Sequence, residues 1–141
     1  MRQARIFAIL VFGFLICGSV QAEIVVVCNP GYGGETLSAE QIREIYQGKS
    51  TRFPNGDPVK PIDQRGGSDE RSQFLSQVMD KTESEMNRYW SRLIFSGKKR
   101  PPEVLESSNA VKRWVATNPN GIGYIDDSYM DESVKVLLRL E

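Results

Sequence analysis

Apolar runs of strand length alternate with segments of helical periodicity along most of this chain, and glycine-rich loops join them. The last two apolar runs follow each other with no helix between. Together these observations predict an α/β fold, a mixed β-sheet flanked by helices.

The first segment reads as a leader rather than as part of that fold. Arg2 and Arg5 precede an apolar run, Ile6 to Ile16, that is too short to span a bilayer as a stable helix. Val20 and Ala22 supply the small residues that a signal peptidase needs, so the expected cut falls after Ala22. This divides the chain into a signal peptide, 1–22, and a single domain, 23–141. A lipid anchor on Cys17 is the weaker reading, because Phe14, Leu15 and Ile16 stand where a lipobox needs a small residue. The expectation is a periplasmic protein without stable membrane insertion.

Removing 22 of the 141 residues leaves 119, enough for one core of ordinary size. The 18 basic residues fall to 16 with the loss of Arg2 and Arg5, against 18 acidic ones, so the mature net charge is −2. That balance argues against nonspecific nucleic-acid binding. Only Cys28 survives processing; no intramolecular disulfide can form, and in its apolar setting the thiol reads as a small buried hydrophobe.

Ile24 to Cys28 is a continuous β-branched run, the pattern of a strand covered on both faces. Asn29 to Gly34 is a turn, and Ser38 with Gln41 then forms a capping box, flanked by Leu37 and Ile42 as a hydrophobic staple. Ile42, Ile45 and Tyr46 make the buried stripe of this helix, and Gly48 ends it. Val59 to Asp63 reads as a second strand that runs into Gln64-Arg65-Gly66-Gly67-Ser68. Ser68 is an N-cap, with Phe74, Leu75, Val78 and Met79 at helical spacing behind it. A strand, a glycine loop and a helix start in succession form an architecture suited to an anion, because unpaired N–H groups point outward and glycine lets an oxyanion approach the backbone.

A third helix opens at Thr82 and Glu85, with Met86, Tyr89, Trp90 and Leu93 on one face as core. Gly97 to Pro102 carries Lys98, Lys99 and Arg100 and reads as a solvated loop. A fourth helix begins near Ser108, turns Val111, Trp114 and Val115 inward and stops at Asn118-Pro119. Gly121 to Asp126 is a strand, and in the last one Val134, Val136, Leu138 and Leu140 alternate with Lys135, Leu137 and Arg139.

Catalysis finds little support. There is no histidine, hence no triad base, imidazole ligand or ready proton shuttle near neutral pH. The acidic pairs Asp126-Asp127 and Asp131-Glu132 read as solvated loop charges, not as calcium ligands or acid–base groups. A non-enzyme without a cofactor is expected.

Three stretches of the mature chain resemble the substrate-binding proteins of phosphate ABC transporters, and especially their short single-domain members. Ile24 to Val27 with Leu37 to Lys49, then Phe53 and Gly56-Asp57-Pro58-Val59, is similar to that family's first strand and helix. Pro61 to Phe74 is similar to its phosphate-loop segment, and Asn118 to Ile125 to the stretch before its terminal strand. The resemblance implies one lobe of a type 2 periplasmic binding protein and a site for inorganic phosphate or a similar oxyanion.

Carried over residue by residue, the resemblance implies Arg65 and Ser68 as phosphate ligands, with Ser38 from the first helix start as a residue that would cover the anion. Gly67 joins the candidate site as a glycine that lets an oxyanion reach the backbone, and Arg71 either folds back toward the loop to add positive charge or pairs with an acid on the helix surface. Two features depart from the family. Asp69 and Glu70 stand where the family has glycine and threonine, and the arginine-to-serine spacing is one residue shorter. In addition, the chain matches one lobe of a two-lobed clamshell. Two functions follow as expectations: a periplasmic solute-binding protein for phosphate or a similar oxyanion, working with an ABC permease, or a ligand-free interaction or sensor module of the cell envelope that kept the fold.

Overall fold

The computed structural model describes residues 23–140, together with positions 13, 15 and 18; the leader and its cut after Ala22 otherwise lie outside the described residues. Five strands form one sheet in the order β3-β2-β4-β1-β5. These are β1 (Ile24–Cys28), β2 (Lys60–Gln64), β3 (Glu103–Leu105), β4 (Gly121–Asp126) and β5 (Lys135–Arg139).

The sheet is mixed, as the sequence predicts, but for a different reason. β2 runs parallel to both β3 and β4. The last two strands do not pair with each other; β1 lies between them, antiparallel to both. The continuous apolar run of β1 follows from this central position. Ile24, Val26 and Cys28 face one core, with Ile122, Tyr124 and Leu137, while Val25 and Val27 face a second, with Ile62, Ile125 and Val134.

Helices cover both faces. The first core is closed by α1 (Ala39–Tyr46), by α2 (Asp69–Phe74) with its π-helical continuation Leu75–Met79, and by α3 (Glu83–Phe95). Val111 and Val115 of α4 (Ser108–Thr117) close the second.

Local chemistry sets these boundaries as expected. The Ser38 hydroxyl accepts from Gln41 N–H at 3.2 Å while Gln41 Oε1 accepts from Ser38 N–H at 2.9 Å, which completes the capping box. Leu37 and Ile42, the staple pair, are both buried. Gly48 follows α1 with φ +70°, a left-handed conformation that glycine adopts without a Cβ clash.

Two details differ from the sequence reading. β3 was not anticipated; it is a three-residue edge strand directly after Pro101-Pro102, too short and too exposed to leave a periodic signal. In β5, strict alternation sets Leu137 apart from the core residues, yet it is fully buried. The pairing with β1 explains this. Val26 faces Leu138 and Val27 faces Val136, so Leu137 is the extra residue of a bulge and turns inward. Its carbonyl accepts from Leu37 N–H at 3.1 Å, which ties the approach to α1 onto the sheet edge. Among the described residues no helix is long and apolar enough to cross a membrane.

Candidate functional site

The carboxyl end of β2 carries the site. Asp63 is nearly buried there, and its Oδ1 accepts from Gln64 N–H at 2.8 Å and from the Tyr124 hydroxyl. Tyr124 stacks on Phe74 with centroids 4.0 Å apart and planes 5° from parallel. Tyr46 meets Phe74 edge-on at 4.7 Å and donates to Ile62 O at 2.8 Å. Burial first, and the Asp63 charge second, push the Tyr124 hydroxyl far above its ordinary pKa, so it stays a proton donor to Asp63. An aromatic floor thus fixes the carboxylate from below.

Above it, Arg65, Gly66 and Gly67 form the loop. Ser68 N–H donates to Arg65 O at 3.3 Å, and Gly67 sits at φ +80°. The Ser68 hydroxyl caps α2 by accepting from Arg71 N–H at 3.2 Å. From this first turn Arg71 folds back under the loop and is only 7% exposed. Its Nε lies 3.4 Å from Asp63 Oδ2, and its Nη1 donates to Glu83 Oε2. The other oxygen of Glu83, Oε1, accepts from Gly67 N–H at 3.0 Å. Two donors, the loop amide of Gly67 and the guanidinium of Arg71 from the first turn of α2, therefore converge on a single carboxylate brought by the start of α3.

The structure brings together Gly67, Ser68 and Arg71. The sequence leaves two alternatives for Arg71, a return toward the loop or an ion pair on the helix surface. It returns, and it pairs with acids of β2 and α3. Arg65 is on the same loop and exposed, and its guanidinium has no carboxylate partner among the described residues. Ser38 is elsewhere: Leu37, next to it, bonds to β5, the sheet edge opposite β3, and the Ser38 hydroxyl is engaged as a cap.

Sequence reasoning missed Asp63 and Glu83. Asp63 had a signal, a carboxylate ending an apolar strand just before the glycine loop. Glu83 had none, because it lies sixteen residues from Gly67 and resembles any first-turn acid. Gln64 is buried beside them; its Nε2 donates to Tyr124 O at 2.9 Å and Ser108 Oγ at 3.2 Å, while Oε1 has no protein partner.

A second surface lies at the other end of β2. Lys98, Lys99 and Arg100 are exposed, as the sequence suggests, and they rim a cavity of about 640 Å³ walled by Ile45, Val59 and Trp90. Nearby, Phe95 is 95% and Ile94 53% exposed. Among the described residues no cluster of three metal-ligating side chains occurs.

No protein-family model matches the sequence. Solved structures do match the fold. An ABC-type phosphate transport receptor from Vibrio cholerae aligns with TM-score 0.65 at 20% identity, over 82% of this chain and 45% of the receptor. A putative phosphate ABC transporter substrate-binding protein with bound phosphate from Clostridium perfringens gives 0.66 at 25% identity, over 82% and 44%. PstS from Borrelia burgdorferi gives 0.63 at 16% identity, over 82% and 46%. The chain spans less than half the length of each. With five strands in a mixed sheet between two helical layers, it has the fold of one lobe of the phosphate ABC transporter substrate-binding proteins.

Proposed function

We propose that this protein is a periplasmic binding module for phosphate or a similar oxyanion, related to phosphate transport and not an enzyme. The observation that carries the reading is the convergence of Gly67 N–H and the Arg71 guanidinium on one pair of carboxylate oxygens. A loop that holds a carboxylate in this way has the donors, charge and backbone access that a tetrahedral oxyanion needs. Arg65, exposed on the same loop, supplies a further cation. One lobe gives a shallow site, so modest affinity is expected.

Isothermal titration of the full chain with inorganic phosphate and then sulfate tests this. Saturable phosphate binding that Arg65→Ala abolishes in a folded protein supports the reading. Absence of binding by either anion counts against it and favours the second reading, an interaction or sensor module of the envelope. The exposed Phe95 and Ile94 beside Lys98, Lys99 and Arg100 favour that second reading, since an apolar patch rimmed by cations is suited to a protein partner.

A further inference from the structure

We infer that Glu83 is a built-in competitor for the oxyanion site, a carboxylate that occupies the cradle until a ligand displaces it; this rests on the oxyanion reading above. Glu83 accepts from both convergent donors, Gly67 N–H and Arg71 Nη1. Its position directly over the loop is shown by Gly66, where an added Cβ would stand 3.7 Å from Glu83 Oε2. An external oxyanion needing these donors has to take the place of this side chain.

The surroundings let Glu83 leave without loss of the fold. Its side chain is 31% exposed, against 9% for Arg71, so water can receive it. Thr82 caps α3 by accepting from Glu85 N–H at 3.2 Å, so the helix start does not depend on Glu83. Asp63 holds the Arg71 guanidinium from the other side and keeps it in place once Glu83 has gone. The cradle is therefore preorganised, and its internal occupant lowers apparent affinity by the fraction of time it sits there.

The test compares inorganic phosphate binding by the full-length wild type, Glu83→Ala and Glu83→Gln using isothermal titration. Alanine removes the occupant; glutamine keeps its size and removes its charge. Both are expected to bind phosphate at least about ten-fold more tightly than wild type, the increase a site blocked nine-tenths of the time would show. Equal affinities in all three would overturn the competitor role while leaving the oxyanion reading intact. Absence of binding in all three would overturn the oxyanion reading, and the competitor with it. Should the variants fail to fold, the wild type is titrated with phosphate while the Gly67 amide and the Glu83 side-chain carboxyl carbon are followed by NMR. Concerted shifts support displacement; a Gly67 shift without a Glu83 shift, or no shift at either, contradicts it.

Discussion

Arg71 Nε lies 3.4 Å from Asp63 Oδ2, and the two side chains are only 9% and 13% exposed. Removing one member leaves an ion without its partner in a poorly solvated place. Arg71→Leu is therefore expected to destabilise the domain by about 3 kcal/mol. Glu83, more exposed, can turn to water, so the penalty falls mainly on Asp63. Adding Asp63→Asn to Arg71→Leu should recover part of the loss, because Tyr124 and Gln64 N–H still have an acceptor there. Urea unfolding of the single and double variants checks this; a double variant as unstable as the sum of the two singles would show that the residues are not coupled.

Alkali should destabilise this protein through groups that the fold buries in their protonated form. Burial pushes the Cys28 thiol from 9.0 up to about 11, despite the opposing pull of Lys135. Burial, then Asp63, raises the hydroxyls of Tyr46 and Tyr124. A group with a raised folded pKa keeps its proton in the native state after the unfolded chain has lost it, so stability falls as pH rises from about 9 to about 11. The midpoint of urea unfolding is expected to drop across this window, and Cys28→Val should flatten part of the slope. A flat wild-type profile would count against the burial of all three groups.

At Gly123 the side chains of α4 pack directly against the backbone of β4. A Cβ there would stand 2.5 Å from Val111 Cγ1 and 3.3 Å from Val115 Cγ2. Gly123→Ala is expected to destabilise by about 1–3 kcal/mol through overpacking. Val111→Ala in the same chain should relieve a portion of that strain, although it opens space of its own, and thermal denaturation of the four proteins of the cycle measures the coupling.

Much of this architecture was legible because its signals are local. Ser38 with Gln41, Ser68 and Thr82 each announce a helix start within four residues, and each is a cap in the structure. The loop from Arg65 to Ser68 was visible for the same reason. What stayed hidden depends on distant pairing: the place of β1 between β4 and β5, the bulge at Leu137, and the arrival of Glu83 over Gly67. Ser38, inferred from resemblance alone, belongs to a different edge of the sheet from the Gly67 loop, which no local pattern could show.

The two loop glycines allow the cradle to be tested without touching a charge. Gly67 has φ +80°, and an added Cβ would meet nothing within 4 Å, so the penalty of Gly67→Ala is conformational, about 1–2 kcal/mol. Gly66 lacks a positive φ, and its added Cβ makes only an ordinary contact with Glu83 at 3.7 Å, so Gly66→Ala should stay within about 0.5 kcal/mol of wild type. The contrast carries to the site. Relaxing the left-handed bend at residue 67 turns its N–H away from Glu83 Oε1, which should speed hydrogen exchange of that amide and leave Glu83 held by Arg71 alone. Alanine at 66 should leave exchange at Gly67 unchanged. Equal exchange rates in both variants would mean that the Gly67 amide does not hold Glu83 in solution.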